Sequence, residues 1–313
     1  MTMLPSDTPK IRLGARQSPL AMAQAFETRN RLCAAHGWAA DDVELVPVRA
    51  SGDKVLDRPL ADIGGKALWT KELDQWLAEG HIDASVHSMK DVETIRPDAF
   101  TIGAILPRAD IRDVLVGAHS IAALPPGAKV GTSAPRRAAQ LLNQRPDVEV
   151  VLFRGNVATR LAKLQAGDAN ATFLAAAGLQ RLGEHGIGTA LEAEEWLPAA
   201  AQGAIGVECR ADDAQVREWL SAIDHAESHA EVMADRALLA ALGGNCHSPV
   251  AVLSQCENGT VSMRAALFSP DGAEHVTGAA TFPSRDEAAP QQLARDLLSR
   301  ATPAITVHFG HSG

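Results

Sequence analysis

Along the chain, short apolar runs alternate with stretches in which apolar residues recur every three or four positions, the pattern of an α/β protein. KIRLGA (10–15) reads as a buried strand. Ser18 then caps a helix with Pro19 at its first position, which runs through LAMAQAFETRNRLCAAH to Gly37. DVELVPVRA is the next strand and WTKELDQWLAEG the next helix, closed by Gly80; DASVHSM and FTIGAIL follow as strands. A second unit begins near DVLVGA. In it AKVGTS is a strand, Pro135 opens the helix PRRAAQLLNQ, VEVVLF is a strand, NVATRLAKLQAG a helix and ATFLAAA a strand. After Arg210 the texture changes. Helical stretches around Val216–Ile223 and His229–Leu242 lead into SPVAVLSQC, TVSMRAALFS and EHVTGAATF, alternating strands of the antiparallel kind, and an amphipathic helix spans about Arg285 to Arg300.

This pattern predicts two α/β domains with a cleft between them and a smaller C-terminal α+β domain. The 313 residues suffice for several sizeable cores. No apolar run approaches a membrane span and the opening MTMLPSDTPK has no apolar signal region, so a cytoplasmic protein without membrane partners is expected.

RLGARQSPLA and KVGTSAPRRA share one design: strand, Gly, a short polar turn, then Pro at a helix start. Such a turn aims backbone N–H groups and the positive helix end outward, which makes an anion site. Two of them, with Arg16 and the Arg136–Arg137 pair attached, suggest two domains facing one anionic ligand. The net charge of −9 argues against nucleic acid as that ligand. Arginine nevertheless outnumbers lysine 22 to 7. That excess reads either as codon bias or as guanidinium forks that grip carboxylates bidentately. Arg136, Arg137, Arg154, Arg160 and Arg181 fall at or just beyond strand ends, where ligands of open α/β sheets bind. Their placement favours a polycarboxylate or phosphate site; Arg145, beside Pro146, reads as surface.

HSMKDVET sets Lys90 and Asp91 at a strand-to-turn junction, either as solvated neighbours or as an anion-binding cation beside a carboxylate that stabilises developing positive charge. DIGGKALWTKELD joins a Gly-Gly stretch to a helix, as an ordinary loop or a lid over the chemistry. The four cysteines, Cys33, Cys209, Cys246 and Cys256, are 176, 37 and 10 residues apart, which disfavours metal sites and disulfides. Cys33, Cys209 and Cys256 read as inert packed thiols. Cys246 differs: GGNCHSPVAV holds it on a Gly/Asn turn ahead of Pro249, as a packing residue, a nucleophile or an anchor.

LGARQSPLA, HSMKDVET, GTSAPRR, RGNVATRL, LPAAAQGAIGVECR and GGNCHSP stand in the order and spacing seen in the porphobilinogen deaminase (hydroxymethylbilane synthase) family, and the resemblance runs from Ile11 to Pro249. It implies two domains similar to periplasmic binding proteins, 1–105 with 203–224 and 106–202, and a third, 225–313, that carries the cysteine. It implies a monomeric transferase of tetrapyrrole (haem) biosynthesis that joins four porphobilinogen units head to tail, losing ammonia each time, before water releases hydroxymethylbilane. By the same resemblance Cys246 holds a dipyrromethane cofactor, the primer, through a thioether. Arg16, Ser18, Lys90, Ser133, Arg136, Arg137, Arg154, Arg160 and Arg181 would bind the acetate and propionate side chains, and Asp91 would face the pyrrole nitrogens; no metal is implied. Loss of ammonia leaves an electron-poor azafulvene, whose positive charge a fixed carboxylate stabilises. The chain departs from the family pattern at several positions. Ala134 and Pro135 replace a serine and a leucine, Glu93 a proline and Trp69 a phenylalanine. Ala201 stands before Gln202 where a glycine is usual, and Asn245 precedes Cys246. A non-catalytic binding protein and an assembly protein are the rival readings; the second gives no reason for arginines to gather at strand ends.

Overall fold

The computed structural model describes residues 9–49, 70–244 and 247–310. The first stretch of elements is β1 (Ile11–Arg16), α1 (Pro19–His36), β2 (Val43–Val48), α2 (Lys71–Ala78), β3 (Ala84–Ser88) and β4 (Phe100–Ile105). The second is β5 (Asp113–Val116), β6 (Lys129–Thr132), α3 (Pro135–Gln144), β7 (Glu149–Leu152), α4 (Val157–Gln165), β8 (Ala171–Ala175), α5 (Ala176–Arg181) and β9 (Thr189–Ala190). The last is β10 (Ile205–Arg210), α6 (Ala214–Ser221), α7 (Ala226–Leu242), β11 (Val250–Glu257), β12 (Thr260–Phe268), β13 (His275–Pro283), α8 (Ala288–Arg300) and α9 (Pro303–Thr306).

Local chemistry sets the helix ends. The Ser18 hydroxyl accepts the Ala21 N–H at 3.3 Å, and Gly37 closes α1 at φ 66°, its N–H reaching the Cys33 carbonyl. Helix α7 starts a turn earlier than its apolar spacing predicts, because the His225 ring accepts the Ser228 N–H and caps it. The stretch ATFLAAA divides: β8 stops at Ala175 and the alanines enter α5. Alanine favours helix and offers a pleated sheet little side chain to pack. Arg181 therefore ends a short helix rather than following a strand.

Two five-stranded sheets repeat one topology. In the first, ordered β2-β1-β3-β10-β4, β1 pairs in parallel with β2 and β3 while β10 runs antiparallel between β3 and β4. In the second, ordered β7-β6-β8-β5-β9, β6 pairs in parallel with β7 and β8 while β5 runs antiparallel between β8 and β9. Each fourth strand thus directly follows a crossover from the other sheet. The two crossovers lie side by side: the Leu106 N–H bonds the Ile205 carbonyl at 3.0 Å and the Ala109 N–H the Gly203 carbonyl at 3.2 Å. Ala201, in the second crossover, holds φ 56°, a left-handed conformation that explains why glycine suits this position.

The third sheet, β11-β12-β13, is antiparallel throughout and packs against α7 and α8. Leu238, Leu242, Val252, Leu267 and Leu297 are fully buried between these layers; each such side chain contributes about 1.5–3 kcal/mol of apolar burial.

Candidate active site

The carboxyl ends of β1 and β3 and the start of α1 border a cleft of about 430 Å³ that opens to solvent, lined by Arg16, Ser18, Gln24, His87, Ser88 and Asp91 among others. An adjoining recess of about 300 Å³ shares Leu20, Gln24 and Ser88 with it and continues past Lys90 to Gly178, Arg181, Ala201 and Gly203. Gln24 and Ser88 form the shared wall: the Gln24 amide donates to Ser88 Oγ at 2.7 Å, and that hydroxyl donates back to Gln24 Oε1 at 3.1 Å. The two hollows thus adjoin across this wall, and the second also borders Ala175, Ala177, Gly178 and Arg181 of the other sheet's unit.

Asp91 ends a one-turn 3-10 helix, Met89–Asp91, directly after β3. Lys90 is half-buried beside it and donates to Gln202 Oε1 at 3.5 Å. Burial lowers the Lys90 pKa to about 8; Asp91 and Asp113 act to raise it, Arg137 and Arg136 to lower it. Arg160, in the first turn of α4, is lowered to about 10 by burial and by Arg137 and Arg154, against the pull of Asp91. These couplings place Lys90, Asp91, Arg136, Arg137, Arg154 and Arg160 in one electrostatic neighbourhood. Arg181 donates through Nε to Glu27 on α1 at 3.3 Å and through its fork to the Gly203 carbonyl at 3.0 Å, so it spans α5, α1 and a crossover.

Arg136 and Arg137 are buried and share a counter-ion that sequence reasoning missed. Asp113, the first residue of β5, is fully buried. It accepts from Arg136 at 2.7 Å, from Arg137 at 2.6 and 3.1 Å, from Trp196 Nε1 at 2.9 Å and from the Gln202 amide at 2.9 Å. Burial alone would push its carboxyl up; the two guanidiniums hold it well below the usual carboxylate range. The "RR" dipeptide carried a signal for this partner, since adjacent buried cations need a carboxylate. Ser133 lies in the turn between β6 and α3, half-buried beside this pair.

Cationic groups fall into two kinds, and Arg236 of α7, outside the cleft, joins those that burial lowers. Arg12, Arg96, Arg112 and Arg145 have pKa values raised by hydrogen-bonded carboxylates. Lys90, Arg136, Arg160 and Arg181 are lowered, burial being the first cause in each. The cleft therefore gathers more buried positive charge than its carboxylates offset, a field that a polycarboxylate ligand relieves. Arg145, expected at the surface, instead clamps the 121–125 loop through the carbonyls of Ile121, Leu124 and Pro125. Glu93 gains a purpose too: it accepts from Arg96 at 2.9 Å and from Thr70 at 2.9 Å, within a buried cluster that includes Asp74 and Glu208.

Asn245 and Cys246 lie outside the described residues, as do Trp69 and the Gly-Gly part of the expected lid. The residues flanking the cysteine are placed. Gly243 takes φ 62° at the end of α7, where a β-carbon would stand 2.8 Å from the Gly310 main chain. Thr94 Oγ donates to the Gly244 carbonyl at 3.3 Å, and Arg236 of α7 donates to the carbonyls of Glu93 and Thr94, both at 2.9 Å. The turn that carries the thiol thus touches the loop that follows Asp91.

Two family models divide the chain between them. Residues 11–218 match "Porphobilinogen deaminase, dipyromethane cofactor binding domain", and residues 229–299 match "Porphobilinogen deaminase, C-terminal domain". The chain belongs to the porphobilinogen deaminase family. It is 55% identical over 301 residues to the porphobilinogen deaminase of Sphingopyxis alaskensis, covering 94% of this chain and 95% of that one. It is 50% identical over 305 residues to that of Paracoccus denitrificans (96% and 97%), and 48% identical over 268 residues to the chloroplastic protein of Oryza sativa subsp. japonica (84% and 75%). Among solved structures, the periplasmic VFT2 domain of Bordetella pertussis BvgS matches at a TM-score of 0.40 and 14% identity, covering 68% of this chain and 86% of that one. Membership of the porphobilinogen deaminase family accounts for a cleft that is cationic in a chain of net charge −9.

Proposed function

We propose that this chain acts as a hydroxymethylbilane synthase: it condenses four porphobilinogen units head to tail, releases ammonia at each step and frees the linear tetrapyrrole by hydrolysis. The family match over nearly the whole chain supports this reading, and the observation that carries it is the surplus of buried cations in the cleft. Each pyrrole unit brings an acetate and a propionate, so the ligand's charge grows as the surplus requires. Lys90, Arg16, Arg154, Arg160 and Arg181 hold those carboxylates, with Ser18 and Ser133 as hydroxyl partners and Arg136 and Arg137 as a pair braced by Asp113. Asp91, fixed by its 3-10 turn beside Lys90, is the carboxyl group that faces positive charge developing on a pyrrole.

The donor set fits the dipyrromethane group named in the family model. When bound, that group supplies the pyrrole end to which the next unit is joined. Cys246 is its attachment point in this reading, supported by the contact of neighbouring Gly244 with Thr94, three residues beyond Asp91. The domain division 1–105 with 203–224, 106–202 and 225–313 agrees with β10 completing the first sheet after the second is built. A monomer in the cytoplasm is part of the proposal. Among the described residues no helix is long and apolar enough to cross a membrane.

Denaturing intact-mass spectrometry of the wild type beside Cys246→Ser tests the reading. Added mass equal to two deaminated porphobilinogen units, present in the wild type and absent from the variant, is expected. A wild type still unmodified after incubation with porphobilinogen would overturn the anchor role and favour a cytoplasmic anion-binding protein.

A further inference from the structure

Gln202 lies in the second crossover, fully buried, and touches groups on both sides of the cleft. Its amide nitrogen donates to the Ile111 carbonyl at 2.7 Å and to Asp113 Oδ1 at 2.9 Å. Both N–H groups are thereby committed to acceptors, so the amide cannot flip: reversed, its oxygen would face a carbonyl and a carboxylate. The carbonyl end is left aimed at Lys90 Nζ, 3.5 Å away. The backbone is held as well, since the Gln202 carbonyl accepts from Arg108 Nε at 2.8 Å and its N–H bonds the Ala199 carbonyl at 3.0 Å.

We propose that Gln202 is a positioning residue for Lys90: Asp113 and Ile111 orient its amide, and the amide oxygen fixes the ammonium at the cleft wall and favours its charged form. One side chain then serves both cationic groups of the site, bracing the Asp113–Arg136–Arg137 cluster with its nitrogen and Lys90 with its oxygen. The inference rests on the proposed function only where it takes the Lys90 ligand to be a porphobilinogen carboxylate. Lys90 needs such support. Burial, Arg137 and Arg136 all act against its proton, and Asp91 and Asp113 are the charges that act for it. A fixed carbonyl dipole adds to them without bringing another anion into the cleft.

The test titrates Lys90 directly. Trace acetylation with acetic anhydride across a pH series, read by peptide mass spectrometry, gives the midpoint at which Lys90 becomes reactive. Kinetics with porphobilinogen run in parallel on the holoenzyme. Gln202→Met, which keeps the shape and removes the amide, should move the midpoint down by roughly half to one pH unit and raise KM more than it lowers kcat. Gln202→Asn, which keeps an amide but is one methylene shorter and withdraws its oxygen from Lys90, should also move the midpoint down. A purely structural role would lower activity evenly across pH and leave the midpoint in place; an unmoved midpoint in both variants overturns the proposal. Should Gln202→Met fail to fold, the Gln202→Asn midpoint decides alone, downward in support and unmoved against. A wild type that does not turn over porphobilinogen would refute the functional reading, while the labelling midpoint would still judge the link between Gln202 and Lys90.

Discussion

Replacing Asp113 by asparagine is the most severe test of how the site is braced. Every donor around this side chain points inward. Oδ1 receives Arg137 at 2.6 Å and Gln202 at 2.9 Å; Oδ2 receives Arg136 at 2.7 Å, Trp196 at 2.9 Å and the Arg137 Nε at 3.1 Å. An asparagine keeps the shape but must place its NH2 at one of these two positions, against at least two donors whichever way it turns. It also removes the only charged hydrogen-bond partner of Arg136 and Arg137 among the described residues, and both guanidiniums are buried. Removing one partner of a buried ion pair costs about 3–5 kcal/mol, because the other charge is left without compensation. At about 2–3 °C per kcal/mol for a chain of this size, Tm should fall by roughly 6–15 °C.

The pH dependence follows from the direction of the Asp113 shift. Its carboxyl is held below the unfolded value, so its contribution is complete above the unfolded pKa of about 3.9 and is lost only as pH falls through the lower folded value. Scanning calorimetry of wild type and Asp113→Asn should therefore show a Tm gap that is constant from neutral pH down to about pH 5 and narrows only in stronger acid. A variant that melts within about 1–2 °C of the wild type at neutral pH would refute the bracing argument. So would a gap that closes while Asp113 should still be ionised.

Two further outcomes are expected. Asp91→Asn should carry the same added cofactor mass as the wild type yet lose about 10²–10³-fold in turnover, the usual loss when a fixed electrostatic group is removed; near-normal turnover would take Asp91 out of the mechanism. Gly243→Ala meets both a left-handed φ of 62° and the Gly310 main chain at 2.8 Å. It should cost about 2–4 kcal/mol and reduce the fraction of protein that gains the cofactor mass, measured by melting and intact mass; unchanged values for both would show that the turn does not depend on this glycine.

The sequence was most legible where the cause is local. Ser18, Pro19 and Gly37 define α1 through contacts within a few residues, and alternation reports one buried face in β13 and the start of β12, whereas Val250–Ser254 and Ala265–Phe268 are buried on both faces. The paired turns before α1 and α3 were readable for the same reason. The ATFLAAA stretch was not, because its unbroken apolar run reads as one strand although its closing alanines favour helix. Asp113 and Gln202 were missed because their meaning is nonlocal. Asp113 opens DVLVGA as any polar residue opens a strand, and its partners lie 23, 24, 83 and 89 positions away.

The arginine excess shows how type and position separate. Read as a count, it supports either codon bias or carboxylate recognition. In the fold, much of it is ordinary structure. Arg96 joins Asp74, Glu93 and Glu208; Arg108 joins Glu231 and Asp235; Arg210 and Arg300 pair with Asp213 and Asp296. Under the proposed function the signal lies in cations that burial lowers: Lys90, Arg136, Arg160 and Arg181, though Arg236 of α7 is lowered as well. The sequence could name Lys90 and Arg160 from their positions after strands; Arg181 was named on the same ground, although it ends α5. It could not say which arginines the protein's own carboxylates already satisfy, because that depends on acids brought in from distant strands and helices. A site for a growing polyanion is therefore defined as much by where acidic residues are withheld as by where basic ones are placed.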